Sequence, residues 1–219
     1  MRLAGRQVGP IPTIGTGLGL NTLVAGGAQF VKYPATGRVK GGGRIDLVSV
    51  RGGCRAMHTE LQDLARQVGQ RLLARRLMLA TAESCTGGWI AKAITDVPGS
   101  SAWLERGFVT YGNAAKEDML GVEPTTLERQ GAVSEATVWE MAVGALAHSR
   151  AQVAVAVTGI AGPDGGTPDK PVGTVWLAWV LPGGKVVTRC EQFQGDRESI
   201  RGQTVRSALA GLLDQLANG

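Results

Sequence analysis

Residues 153–157 read Val-Ala-Val-Ala-Val, an apolar run with no polar break. A strand with one wet face alternates apolar and polar side chains, whereas a strand without polar positions is covered on both faces. The chain must therefore supply layers on each side of a sheet, and the sequence around this run does so. Leu61, Leu64, Ala65, Val68, Leu72 and Leu73 fall at helical spacing and predict a helix over 60–75. Residues 77–82 read as a short apolar strand, followed by a helix over 86–95 that Pro98 and Gly99 stop. A second strand is expected over 108–111, after which Asn113 caps a helix running to Met119. Ser134 opens a further helix over 135–148. Residues 174–181 and 185–193 flank Pro182-Gly183-Gly184, a hairpin signal. A last helix over 196–217 carries Val205, Leu209, Leu212, Leu213 and Leu216 on one face. Strands alternating with helices and ending in a hairpin predict an α/β fold, a three-layer α/β/α sandwich with a mixed sheet of about five strands.

The formal net charge of +5 is unevenly spread. Residues 1–56 carry eight Lys or Arg against Asp46 alone, while residues 57–219 carry 15 basic and 17 acidic groups. The high pI belongs to the head, so a nucleic-acid partner is not expected. The head also holds 13 of the 33 glycines and keeps no helical or strand period. This predicts a disordered, basic extension over 1–56 ahead of a domain over 57–219, with Met57 marking the change of character. The Gly-rich tract at 15–20 lacks the G-x-G-x-x-G spacing and a preceding strand, so it reads as flexible backbone rather than a dinucleotide loop. Cys54, Cys85 and Cys190 show no C-x-x-C spacing and suggest neither a disulfide framework nor a metal site, which suits a reducing cytoplasm. No stretch reaches the apolar length of a membrane span, and the head lacks the compact apolar segment of a signal peptide. A cytoplasmic protein without a membrane partner is expected.

In open α/β sheets, ligands bind at the carboxyl ends of parallel strands. That rule predicts that E-S-C-T-G-G (83–88), T-Y-G-N-A-A-K (110–116) and T-G-I-A-G-P-D-G-G (158–166) converge. Ser84 lies where the first strand turns toward a helix, beside amides free to hold an anion, and Gly87 and Gly88 allow close backbone approach. Taken alone, Ser84 is better explained as a helix cap. A serine nucleophile needs a base, and the two histidines, His58 and His148, lie outside these loops, which argues against a Ser-His-Asp triad. Of six lysines, Lys32 and Lys40 are in the head and Lys185 is in the hairpin turn. Lys92 lies roughly 12 Å along the axis of Ser84's own helix, at ~1.5 Å per residue. Lys116 and Lys170 remain, with Lys116 closer to its strand end. A lysine acting as base must be neutral, which requires burial or nearby positive charge. A solvated lysine paired with Glu117 fits the same residues.

Thr158 ends the third strand, where its hydroxyl either bridges Ser84 and Lys116, binds substrate or makes an ordinary turn. Asp164 orients an amine or water, or forms an Asx turn. Arg197 and Arg201 stand four residues apart in the first turns of the last helix, where cations oppose the helix dipole. A phosphate ligand would offset that cost, and so would pairing with Asp196 and Glu198. Trp89, Trp103, Trp139, Trp176 and Trp179 read as core or interface anchors, and any left exposed would suit a homo-oligomer.

The segments A-E-S-C-T-G-G (82–88), V-P-G-S-S-A-W-L-E-R-G-F-V-T-Y-G-N-A-A-K (97–116), G-A-V-S-E (131–135), V-T-G-I-A-G-P-D-G-G (157–166), K-P-V-G-T-V-W (170–176) and G-D-R (195–197) resemble the CinA carboxy-terminal domain family. That family includes the stand-alone nicotinamide-nucleotide amidases (PncC). The likeness runs from about Leu61 to Leu216 and leaves residues 1–56 uncovered. It implies a three-layer α/β/α sandwich that converts nicotinamide mononucleotide and water to nicotinate mononucleotide and ammonia, a salvage step toward NAD. The family's serine, lysine and hydroxyl residue carry over to Ser84, Lys116 and Thr158, which settles the choice of lysine. The tyrosine and asparagine of T-Y-x-N map to Tyr111 and Asn113 as substrate contacts. Gly112 stands where serine is common, and Thr158 where some relatives have serine. Larger members carry a further amino-terminal domain acting on pyrophosphates, for which 56 residues are too few.

The resulting expectation is a Ser-Lys amidohydrolase needing no cofactor or metal, with a pyridine mononucleotide as its partner. Catalysis falls to Ser84, Lys116 and Thr158, and substrate binding to Thr86, Gly87, Gly88, Tyr111, Asn113, Gly159, Asp164, Arg197 and Arg201. Amides around 85–88 hold the oxyanion. One rival moves the nucleophile to Cys85, whose thiolate a helix amino terminus would favour. Another keeps the fold but makes it a nucleotide- or partner-binding module without turnover.

Overall fold

The computed structural model describes residues 47–217. The extension expected at 1–56 lies, as far as residue 46, outside the described residues. Helix α1, Leu47–Ala74, opens well before the expected residue 60, since lengthening a packed helix adds hydrogen bonds without a new nucleation cost. The chain continues through β1 (Leu79–Glu83), α2 (Trp89–Thr95), a 3₁₀ turn (Ser100–Ala102), β2 (Leu104–Val109), α3 (Asn113–Leu120), α4 (Pro124–Gln130) and α5 (Glu135–Ala147). It ends with β3 (Val153–Gly159), β4 (Thr174–Val180), β5 (Val186–Gln192) and α6 (Arg197–Ala217). The five strands form one sheet in the order β2-β1-β3-β4-β5. The first three run parallel, and β4 and β5 return antiparallel to β3 and to each other. The mixed five-stranded sheet expected from the sequence is thus present.

The Val-Ala alternation of β3 sorts the core into two layers. Val153, Val155 and Val157 pack with α1, α2 and α6 through Leu72, Ile94, Leu209 and Leu212. Ala154 and Ala156 join Ala80, Ala82 and Ala178 under α5, which contributes Val138, Met141, Ala142 and Ala145. Small side chains on that second face let the helical layer settle close. At Gly144 of α5 an added β-carbon would collide with the backbone carbonyl of Leu120. On the first face Trp179 is fully buried and donates from Nε1 to the Ala208 carbonyl at 2.9 Å. A β-carbon at Gly211 would strike its ring, so the glycine seats α6 on the indole. Trp103 is buried as well, whereas Trp139 is 45% exposed.

Several boundaries differ from expectation for local reasons. Helix α2 starts at Trp89 rather than 86, because residues 85–88 make a turn with Gly87 and Gly88 at φ 62° and 92°. Strand β2 starts at Leu104 rather than 108. It is an edge strand whose exposed Arg106, Gly107 and Val109 hide any apolar pattern. Asn113 is the first residue of α3 and not its cap; Gly112 holds that position without a side-chain hydrogen bond. Helix α4, which the sequence reading passes over, begins with Pro124 in its first turn and ends at Gly131, φ 78°. Ser134 does cap α5, accepting from the Thr137 amide at 3.2 Å.

Candidate active site

The sheet register assembles the site. Glu83 pairs with Val109 on one side and Val157 on the other. The ladder runs one step past β1, with the Ser84 amide donating to the Val157 carbonyl at 3.0 Å and the Thr110 amide to the Glu83 carbonyl at 2.8 Å. Ser84 therefore emerges between Thr110 and Thr158, and the three strand-end loops meet as expected.

Lys116, in the first turns of α3, folds its side chain back toward this point and is 1% exposed. Its Nζ lies 3.1 Å from Ser84 Oγ and donates to the Thr110 carbonyl at 2.9 Å and the Tyr111 carbonyl at 3.4 Å. No carboxylate pairs with it among the described residues. Burial pushes its pKa below the ordinary lysine range. A Cys85 thiolate would oppose that shift, but burial pushes the Cys85 thiol up to about 12, so the neighbour stays neutral. The same burial argues against Cys85 as nucleophile. The other candidate base, Lys170, donates to the Gln130 carbonyl at 2.8 Å and is not in this cavity. His58 and His148 are also absent from its walls.

Ser84, Lys116, Tyr111, Thr158, Gly159 and Arg197 share a cavity of about 190 Å³. Thr158 lines it, yet its hydroxyl donates to the Ala132 carbonyl at 2.7 Å and is not bonded to Ser84 or Lys116. At Gly159 a β-carbon would come within 2.6 Å of Val175 Cγ2, so that glycine is also required by the approach of β4. Arg197 donates to the Gly162 carbonyl at 2.7 Å and the Tyr111 hydroxyl at 2.9 Å. Neither Arg197 nor Arg201 pairs with Asp196 or Glu198; Asp196 instead caps α6 by accepting from the Ser199 amide at 2.8 Å. A roomier hollow of about 260 Å³ lies at the other end of the sheet, between Leu77, Leu181 and Leu216, and no serine, threonine or cysteine lines it.

A family model described as the CinA C-terminal domain matches residues 61–216. The chain belongs to the CinA C-terminal domain family. Relatives include the nicotinamide-nucleotide amidohydrolase PncC of Escherichia coli K12, 57% identical over 157 residues, which cover 72% of this chain and 95% of that protein. A CinA-like protein of Akkermansia muciniphila is 58% identical over 151 residues, 69% of this chain but 36% of that longer protein. Among solved structures, a competence/damage inducible protein of Agrobacterium tumefaciens superposes with a TM-score of 0.69 at 51% identity, covering 71% of this chain and 94% of that one. A CinA superfamily protein of Escherichia coli gives 0.69 at 42% identity, covering 72% and 91%.

Within this CinA domain, six residues expected as contacts are not in the wall of that cavity. The Thr86 hydroxyl is buried and donates to Glu83 Oε2 at 2.7 Å. Gly87, Gly88 and Arg201 line a different hollow behind the turn. Asn113 and Asp164 are exposed and outside the cavity wall. The sequence reading also missed Ala161, which lines the cavity, and three further contributors. Ala132 and Val133 close the cavity from the loop between α4 and α5, within the G-A-V-S-E segment. Glu83 is fully buried and also accepts from the Ile90 amide at 2.9 Å and the Ala91 amide at 2.8 Å. Its signal was an acid beside the serine with threonine three residues on. Among the described residues, no group of three or more His, Cys, Asp or Glu side chains is placed to hold a metal ion, and no helix is long and apolar enough to cross a membrane.

Proposed function

We propose that residues 57–219 form an amidohydrolase that converts nicotinamide mononucleotide and water to nicotinate mononucleotide and ammonia, within pyridine nucleotide salvage. Relatives bearing that activity in their names, 57% identical to this chain, support the substrate. One observation carries the chemistry: a buried lysine amine, without a carboxylate partner among the described residues, stands 3.1 Å from the serine hydroxyl.

The three oxygens around Nζ suit both ends of a proton transfer. A neutral amine has two N–H donors and one lone pair. The Thr110 and Tyr111 carbonyls accept the two donors, and the lone pair meets the Ser84 hydroxyl proton. Once the proton has moved, the ammonium has three donors for the same three oxygens, so the side chain need not shift. Ser84 Oγ bonds to the carboxamide carbon as Lys116 takes its proton. Backbone amides of the 85–88 turn hold the oxyanion. The proton passes to the amide nitrogen, the carbon–nitrogen bond breaks, and ammonia leaves an acyl-serine. Lys116 then takes a proton from water, the resulting hydroxide attacks the acyl carbon, and the proton returns to Ser84 as nicotinate mononucleotide departs. Thr158 acts by fixing the Ala132 carbonyl and the cavity wall. Arg197 receives the 5′-phosphate, because its present acceptors are two uncharged oxygens that a phosphate outcompetes.

Ammonia release from nicotinamide mononucleotide by the purified protein tests the reading, with Ser84→Ala as control. Turnover that Ser84→Ala abolishes is the expected result; absence of release from the unaltered protein ends the proposal.

A further inference from the structure

We propose that Arg201 is a positioning residue for the oxyanion site, acting through the two peptide groups that follow Cys85 and Thr86. The inference rests on Ser84 being the nucleophile. Arg201 lies one helical turn beyond Arg197 on α6, yet it reaches the opposite side of the 85–88 turn. Its Nε donates to the Cys85 carbonyl at 3.1 Å and its Nη2 to the Thr86 carbonyl at 2.7 Å. The guanidinium also sits 5.4 Å from the centroid of the Trp89 ring, and no carboxylate among the described residues pairs with it. A fixed cation thus ends on two consecutive backbone oxygens directly after the nucleophile.

A trans peptide group points its C=O and N–H in opposite directions. Holding the Cys85 carbonyl toward Arg201 turns the Thr86 amide away from it. Holding the Thr86 carbonyl does the same to the Gly87 amide. The Gly87 amide is occupied, donating to the Ser84 carbonyl at 3.1 Å. The Thr86 amide has no acceptor among the described residues, nor have those of Cys85 and Gly88, and it is the one whose direction Arg201 sets for an oxyanion formed at Ser84. The far end of the turn is anchored independently, where Glu83 accepts from the Thr86 hydroxyl and the amides of Ile90 and Ala91. Carbonyls clamped by a guanidinium and a helix start clamped by a carboxylate leave the Thr86 peptide little freedom to swing. A planar guanidinium fork matches two neighbouring oxygens in a way that the point charge of lysine does not.

The test follows phosphonylation of Ser84 in the full chain by a fluorophosphonate, which carries no pyridine ring and no nucleotide phosphate. Ser84 Oγ bonds to phosphorus, fluoride leaves, and Lys116 takes the proton, so the rate reads the serine, its base and the oxyanion amide alone. Arg201→Met should slow labelling by about 10- to 100-fold, the scale of a damaged oxyanion donor. It should lower kcat by a similar factor on nicotinamide mononucleotide and on the phosphate-free nucleoside, with KM unchanged. Arg201→Lys should fall between the two, and it decides the matter if Arg201→Met does not fold. Labelling at the unaltered rate in a folded variant overturns the proposal. So does a loss confined to the phosphate-bearing substrate, which would make Arg201 a substrate ligand. No labelling of Ser84 in the unaltered protein sinks the nucleophile reading itself.

Discussion

The Tyr111 hydroxyl accepts a hydrogen bond from Arg197 at 2.9 Å, tying the loop after β2 to the first turn of α6 across the mouth of the Ser84 cavity. Tyr111 is 61% exposed, so this bond is made at the entrance and not in the core. An incoming phosphate would exchange with it. Hydrogen bonds to charged groups contribute ~1.5–3 kcal/mol. Arg197→Met should therefore raise KM for the mononucleotide by about 10- to 100-fold at nearly constant kcat. Steady-state kinetics of ammonia release check this, and a fall in kcat at constant KM would contradict it.

Lys116 gives a pH prediction whose sign is fixed by its environment. Burial holds the folded-state pKa below the unfolded value of 10.5. On the proposed mechanism a neutral amine is needed, so turnover should fall as pH drops through the folded pKa. Between the two values the unfolded chain binds the extra proton, so the lysine's contribution to stability improves as pH rises toward 10.5. Lys116→Met should abolish turnover by at least ~10²-fold while removing the burial penalty of the charge, a gain in Tm set against the lost donors to the Thr110 and Tyr111 carbonyls. The gain should be largest at low pH and shrink toward pH 10.5. Paired pH–rate and pH–Tm series decide it.

Cys85 lies 6% exposed beside Ser84, with its thiol pushed up to about 12. A thiol that remains protonated is neither a nucleophile nor an alkylation target at neutral pH. Cys85→Ala should keep turnover within about threefold, its cost being the ~1 kcal/mol typical of a small loss of packing. Iodoacetamide should leave the folded enzyme active.

Thr158→Ser should preserve the bond to the Ala132 carbonyl and most of the activity. Thr158→Val keeps the shape but leaves that carbonyl unsatisfied beside the cavity, at a cost of ~1–3 kcal/mol. Its kcat should fall and its Tm should drop. If the two variants behave alike, the hydroxyl has no part in shaping the wall.

Gly144→Ala introduces a β-carbon against the Leu120 carbonyl, a backbone group that cannot rotate away. The expected destabilisation is ~3 kcal/mol, read as a lowered Tm by calorimetry, with the chemistry of the molecules that remain folded unchanged.

The sequence carried the sheet because β1 and β3 are buried on both faces and read as apolar runs. It misplaced β2, whose edge position leaves polar and apolar residues mixed, and it passed over α4, too short to show a period. The strand-end rule brought Ser84 to the cavity, and Lys116, which the family resemblance chose over Lys170, shares it. Helical spacing could not separate Arg197 from Arg201. Residues four apart share a helix face, yet the 85–88 turn passes between the ends of these two long side chains. Thr86 was misread for a related reason: proximity in sequence to Ser84 does not say which side of a turn a hydroxyl faces, and here it faces Glu83.

The loop joining β3 to β4 is closed at its neck by the Ile160 amide on the Thr174 carbonyl at 2.9 Å and the Gly173 amide on the Ile160 carbonyl at 2.8 Å. Beyond that neck, residues 163–169 are exposed, and the loop meets the cavity through Ala161 and, by way of Arg197, the Gly162 carbonyl. Changes in length or composition at its tip are therefore held off the strands by that neck, and reach the cavity wall only through the Arg197 and Lys170 bonds. A reporter peptide inserted between Asp164 and Gly165 would thus enter at an exposed position outside the neck.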